Sequence, residues 1–289
     1  MIEYLYDRCN GCLLCVRDCV AGCLREVDGR PVAVAPELCN RCSHCLAVCP
    51  RDAIVHRGLD PLQVRKINRR KLSAENYAEV VRSRRSVRQF TEETVERAAI
   101  ADILDLARYS PTSSNDQNLE YLVVTDKGVL DKVSRHLFGM GAALYKKTRG
   151  GPAKMAFSLA SSAGPLKIAA RYMDAMGYYV EQSEKTGRDY ILHNAPALIL
   201  VMAPSRAPFA CDNCNIAATN ITNYAHALGL GTCYIGFLTL ALKFNPILRK
   251  ILGVPRGRKV FASLVLGHPS YRHGATTSRK PARVIWKEA

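Results

Sequence analysis

Apolar residues recur at helical spacing in S-A-E-N-Y-A-E-V-V-R-S, where Tyr77, Val80 and Val81 share a face and Ser73 is placed to cap the helix start. A longer helix is predicted from Cys211 through C-D-N-C-N-I-A-A-T-N-I-T-N-Y-A-H-A-L, ending at Gly229-Leu230-Gly231 before an apolar turn at Cys233–Gly236. Strands are predicted at Tyr121–Thr125, after a helix end and a polar turn spanning Pro111–Gln117, and in the apolar run V-F-A-S-L-V-L-G-H-P at 260–269. The segment R-V-I-W, near the end of the chain, reads as a short terminal strand. Near the start, V-D-G-R-P-V-A-V (27–34) reads as a hairpin turning at Asp28-Gly29. Between Gly139 and Arg188 the pattern is that of an inserted helical excursion, with Met155, Phe157, Met173, Met176, Tyr178 and Tyr179 as its large residues. Gly58, Pro61 and a basic run mark a linker. Three parts are expected: 1–58, the linker 59–75, and 76–289.

Composition narrows the class. At 48% hydrophobic and 23% charged residues the chain is globular in character. No apolar run reaches the roughly 18 residues of a membrane span. The start M-I-E-Y-L-Y-D-R-C has neither the basic region nor the apolar core of a signal peptide, so a cytoplasmic location is expected. Thiols stay reduced there, and clustered cysteines then point to metal or redox sites rather than disulfides. The net charge is +16, and between Arg65 and Arg88 nine Lys and Arg residues face only Glu75 and Glu79. Such a face suits anionic ligands or an acidic electron carrier, while a nucleic-acid partner is not expected.

Nine of the twelve cysteines lie in the first fifty residues. Cys9, Cys12, Cys15 and Cys19 are repeated 30 residues later as Cys39, Cys42, Cys45 and Cys49, with the spacing C-x2-C-x2-C-x3-C both times and Pro50 after the second copy. A loop with a cysteine at every third position can wrap three corners of an iron–sulfur cube, and the fourth cysteine points across to the other cube. Cys9, Cys12, Cys15 and Cys49 are thereby assigned to one [4Fe–4S] cluster, and Cys39, Cys42, Cys45 and Cys19 to the second. Zinc, usually held by two separated pairs, has no use for a third cysteine at the same step. Val20 stands where the pattern has proline in the first copy, and Cys23 follows as either a small buried residue or a competing fourth ligand. Residues 1–58 resemble the 2[4Fe–4S] bacterial ferredoxins. Such clusters pass single electrons, so the chemistry is expected further along the chain.

Four segments there carry a second resemblance: R-R-S-V-R, P-T-S-S-N-D-Q, G-L-G-T-C-Y-I-G and S-R-K-P, in this order. Alone, R-S-R-R-S-V-R-Q-F already suits an anion, because guanidinium groups with a hydroxyl grip phosphate. Together the segments resemble the nitroreductase family of FMN-dependent oxidoreductases from about Tyr77 onward. That resemblance implies an α+β fold with a mixed sheet flanked by helices, and an intertwined homodimer with FMN at its interface. It also implies that Arg84, Arg85 and Ser86 hold the phosphate and ribityl chain, with Arg279 and Lys280 completing the clamp. Arg88 would sit at the N1/O2 edge of the ring, where a cation favours the anionic reduced flavin. Pro111, Thr112, Ser113 and Asn115 would approach from the partner subunit, and Tyr234, Ile235 and Gly236 would line the ring near N5 with a backbone N–H donor. The chain departs from the family's Q-P-W at Gln117-Asn118-Leu119, and has Ile235 where some members have glutamate. The substrate therefore does not transfer. The helical excursion would cover the flavin.

No acid or base side chain stands out as catalytic, which fits chemistry at flavin N5. The resulting expectation is an FMN- and iron–sulfur-dependent reductase of an organic acceptor: a nitroaromatic, a quinone or an activated double bond. Its donor would be NAD(P)H or an acidic low-potential carrier. Two other readings stay open: a flavin dehydrogenase exporting electrons through the clusters, and a non-catalytic electron-transfer or redox-sensing protein. Cys211, Cys214 and Cys233 are more simply packing residues than a metal site, and His193 and His226 more simply core or surface residues than ligands.

Overall fold

The computed structural model describes residues 2–148 and 173–288, and by its contacts the chain forms two compact units. The first comprises Met1–Ala74 together with Thr112–Gln117; the second comprises Glu75–Pro111 and Asn118–Ala289.

The first unit repeats its backbone with the period of its sequence. Strand β1 (Ile2–Tyr4) pairs antiparallel with β4 (Ile54–His56), and β2 (Leu24–Val27) with β3 (Arg30–Ala33). The β2–β3 turn lies at Asp28 and Gly29, both at positive φ, as the hairpin reading expects. Each cysteine run feeds a short helix, α1 (Leu14–Arg17) or α2 (His44–Val48). The left-handed residues also recur 30 positions apart: Gly11 with Arg41, Leu13 with Ser43, and Gly22 with Asp52. Leu13 and Ser43 hold φ of 55° and 60°, a conformation costing a non-glycine residue about 1–2 kcal/mol. The apolar core that must offset this is small, consisting of Ile2, Leu24 and Ile54 packed with Cys15 and Cys23. A core this small gains from a further staple, and among the described residues no disulfide joins any of the cysteines.

The second unit is built on a sheet of order β5-β6-β8-β7: Glu120–Val124, Ala197–Pro204, Arg258–Gly267 and Gly231–Tyr234. Every pairing between these strands is antiparallel. Among the described residues the parallel component of the expected mixed sheet is one bridge, Ser86 to Thr232. In β6, A-L-I-L-V-M-A is buried throughout, because both faces are covered. Ala197, Ile199 and Val201 face α4 (Arg97–Ala107) and α7 (Ala210–Ala227). Leu198, Leu200 and Met202 face α5 (Lys127–Thr148), α8 (Gly236–Ala241) and α9 (Pro246–Leu252). The register shifts where Val201 opposes Ala262 and Met202 opposes Val260, a bulge that leaves Phe261 unpaired. Two further helices are described, α3 (Ala74–Ser83) and α6 (Met173–Thr186).

Two expectations need correction. Cys233 and Tyr234 belong to β7 rather than to a turn, which is confined to Ile235 and the start of α8. The predicted terminal strand at Arg283–Trp286 carries no regular structure: among the described residues no strand pairs with it, and Ile285 and Trp286 are 96% and 80% exposed. Within the predicted excursion, Gly139 lies inside α5. Met155 and Phe157, and the side chains of Met173 and Met176, lie outside the described residues. Among the described residues no helix is long and apolar enough to cross a membrane.

Paired glycines let the basic segment run along the sheet edge. Gly231 opposes Gly267 across β7 and β8. A methyl group on Gly231 would meet Val87 Cβ at 2.8 Å, and one on Gly267 would meet Pro196 Cδ at 2.6 Å. Val87 N–H donates to Thr232 O at 2.9 Å and Thr91 N–H to His268 O at 2.9 Å, fixing residues 86–91 beside β7 and β8. Gly231→Ala is expected to force this segment off the edge and to lower stability by about 1–3 kcal/mol, the usual cost of overpacking. Thermal melts of the variant and the parent protein test this, and an unchanged Tm would remove the role assigned to the glycine.

Candidate functional site

Residues 84–90 follow α3, with Ser86 and Phe90 in isolated bridges, and among the described residues no ion pair joins Arg84, Arg85 or Arg88 to a carboxylate. Burial pushes the Cys233 thiol up, while Arg88 and Ser86, through their side chains, and the charge of Arg84 oppose the shift. Tyr234 is also pushed up by burial, with Thr219 and Arg84 opposing. Ser86 and Arg88 therefore face the end of β7, where Tyr234, Ile235 and Gly236 lead into α8. Ile235 is buried, and its N–H is already donated to Ser263 O at 2.8 Å.

Arg85 lines an open cavity together with Ser83, His226, Tyr271, Arg272 and His273. Ser83 Oγ and His226 Nε2 are hydrogen-bonded at 2.7 Å, and burial followed by the charges of Arg84 and Arg85 pushes the His226 imidazole down. Arg85 Nη1 donates to Thr277 Oγ1 at 3.0 Å, and Arg279 Nη1 donates to the same oxygen at 2.5 Å. Two guanidinium groups thus converge on one hydroxyl. Among the described residues Arg85 Nε is buried with no hydrogen-bond partner. A buried unmatched donor beside a second cation is the chemistry of an anion site. Arg84 is half-buried, and Lys280 is exposed in the irregular stretch after Arg279.

The Pro111–Gln117 turn divides between the units, with Pro111 in the second and Thr112–Gln117 in the first. Within it Ser114, Asn115 and Gln117 have positive φ, and Thr112 Oγ1 accepts from Gln117 N–H at 3.1 Å. Asn115 Nδ2 donates to the carbonyl of Asn40, between Cys39 and Cys42, at 3.0 Å.

The cysteines of the first unit surround two cavities. Cys9, Cys12, Cys15 and Cys49 line one. Cys19, Cys39, Cys42 and Cys45, with Cys23 as a fifth, line the other. Burial pushes the Cys45 thiol up to about 11 and the Cys23 thiol up to about 12. Among the described residues no group of three or more His, Cys, Asp or Glu side chains is spaced for a single metal ion. Cys214 and Cys233 pack into cores on opposite faces of the sheet, and Cys211 is exposed, so these three do not assemble.

Two residues at these cavities escaped the sequence reading. Tyr4 Oη lies 3.7 Å from Cys15 Sγ, and His56 Nε2 lies 3.4 Å from Cys39 Sγ. The alternation of Ile54, Val55 and His56 along β4 does place His56 on the buried face, and that signal was available.

Residues 81–268 match the family described as Nitroreductase. The chain belongs to the nitroreductase family. Among its relatives, a chloronitrobenzene nitroreductase of Comamonas testosteroni is 28% identical over 65% of this chain and 85% of its own length. A 4-nitrobenzoate reductase of a Nocardioides strain is 25% identical over 72% of this chain and 87% of its own. In fold, this family member is similar to an FMN-bound nitroreductase from Desulfitobacterium hafniense, at a TM-score of 0.53 and 21% identity, over 74% of this chain and all of the other. The cysteine-rich residues 1–58 precede the matched span.

Proposed function

We propose that this nitroreductase-family chain is an FMN-dependent reductase of nitroaromatic compounds, supplied with electrons through two [4Fe–4S] clusters in its first unit. The observation that carries the flavin reading is the convergence of Arg85 and Arg279 on Thr277 beside the unmatched Arg85 Nε. A phosphate would satisfy that donor and separate the two cations. Arg84, Ser86 and Lys280 would complete the clamp, and Arg88 would set positive charge at the pyrimidine edge of the ring. With the Ile235 N–H already donated to Ser263 O, Gly236 would be the residue left to donate a backbone N–H to the flavin. FMN would supply two-electron chemistry from a one-electron source. Reduction of a nitro group to a nitroso group consumes an electron pair and two protons and releases water.

The donor sets of the first unit fit iron–sulfur clusters in the same way. Each cavity is lined by three cysteines of one run and the fourth of the other, the crossed arrangement that the spacing implies, with Cys23 additional at the second. Ligation would also supply the staple that the small core lacks. Asn115, which the family resemblance assigns to the flavin of the partner subunit, is hydrogen-bonded within the second cysteine run.

Anaerobic turnover of 4-nitrobenzoate tests the reading directly. A reduced low-potential ferredoxin is expected to drive it, with cluster absorbance bleaching before that of the flavin. If NADH alone drives reduction and the clusters stay oxidised throughout, the relay is wrong although the reductase assignment stands.

A further inference from the structure

The two cysteine cavities share a feature that their ligand spacing does not require: each presents one side-chain donor to one cysteine sulfur. At the second cavity the donor's identity follows from its surroundings. His56 is 4% exposed on β4. Its Nδ1 lies 3.1 Å from the backbone N–H of Gly58, which can only donate. Nδ1 is therefore the acceptor and the ring proton sits on Nε2. That proton is directed at Cys39 Sγ, 3.4 Å away. At the first cavity the hydroxyl of Tyr4 is 3.7 Å from Cys15 Sγ. Both rings line their cavities.

We propose that His56 is a redox-positioning residue, whose Nε2–H bond to Cys39 raises the reduction potential of the group held by Cys19, Cys39, Cys42 and Cys45. Tyr4 does the same, more weakly, for the group held by Cys9, Cys12, Cys15 and Cys49. The inference rests on the reading that these thiols hold iron–sulfur clusters. The physical cause is charge. Reduction adds one electron and makes or breaks no bond, so the ligating sulfurs become more negative. A donor aimed at them stabilises the reduced form over the oxidised one, and hydrogen bonds to the sulfurs are among the factors that set such potentials. The shorter contact and the buried, locked imidazole give His56 the larger effect.

The decisive experiment is a dithionite titration of the full-length, cluster-loaded protein followed by EPR, with iron and sulfide assayed in the same samples. His56→Asn keeps an acceptor for Gly58 N–H and deletes the donor to sulfur. His56→Gln extends an amide N–H toward the same sulfur. Tyr4→Phe removes only the hydroxyl at the other cavity. The Asn variant is expected to shift one of the two cluster signals to lower potential and leave the other in place. The Gln variant should restore it, and Tyr4→Phe should shift the other signal by less. A purely structural histidine would not give a single-signal shift rescued by an amide. Unchanged midpoints in His56→Asn, with iron and sulfide intact, overturn the inference, as does an equal shift of both signals. If His56→Asn fails to load its cluster, Tyr4→Phe decides: a lowered midpoint supports the inference and an unmoved one overturns it. Parent protein without iron and sulfide would sink the cluster reading, and this inference with it.

Discussion

Arg85→Ala combined with Arg279→Ala is expected to weaken FMN binding by about 10² to 10⁴-fold, because hydrogen bonds to charged groups contribute about 1.5–3 kcal/mol each and 1.4 kcal/mol is tenfold. Both guanidinium groups reach Thr277 Oγ1, and neither forms an ion pair among the described residues. Riboflavin is the control, since it lacks the phosphate. Titration of either flavin into flavin-free protein, followed by quenching of flavin fluorescence, should show FMN affinity falling toward that of riboflavin. Riboflavin binding should be unchanged in the double variant. An equal loss for both flavins would mean that the pair holds the fold of the site rather than the phosphate. Deleting Arg85 also removes a buried unmatched donor, so the folding cost is expected to be small.

What the sequence revealed of this molecule depended on how local the determining physics was. The Asp28-Gly29 hairpin was legible because its turn needs positive φ at two successive positions, and the residues suited to it are adjacent in the chain. The helix Ala210–Ala227 and the strand Arg258–Gly267 were legible for the same reason: an unbroken pattern ending at glycine. Cys233 and Tyr234, the end of strand Gly231–Tyr234, looked like the start of a turn running to Gly236, because the strand is short, lies between glycines and owes its pairing with β8 to tertiary structure. The terminal strand failed in the opposite way: apolar residues were present and a ladder partner was not. In the site, the basic run and the cysteine repeat announced themselves by spacing. The meeting of Arg85 with Arg279 at Thr277 joins residues nearly two hundred positions apart, and no local pattern encodes it. Similarly, Tyr4 and His56 reach the cysteine sulfurs only because β1 pairs with β4, bringing both ends of the first unit together.

The same internal symmetry sharpens what cysteine replacement should do. Cys12→Ser and Cys42→Ser occupy equivalent places in the two runs, and each removes a thiol from only one cavity. Either variant is expected to lose about half of the iron and acid-labile sulfide of the parent chain, and the double variant nearly all of it. Ligation is also folding energy for a unit with so small a core, so each single variant should show faster amide exchange across residues 2–58. The second unit, with its own two-sided core, should exchange as before. Cys23→Ser separates the alternatives left open for the odd thiol. Its equivalent 30 positions later is Ala53, and both are 1% exposed, so the repeat uses this place for a small buried side chain. Iron content should therefore survive Cys23→Ser at the cost of some stability, because a hydroxyl replaces a buried thiol. Loss of half the iron in that variant would instead make Cys23 a ligand and displace Cys19 from the second set. Zinc without sulfide in the parent protein would overturn the cluster assignment for both cavities. The flavin site is tested separately, because its donors lie on the edge of the other unit's sheet and in the irregular segment that follows it.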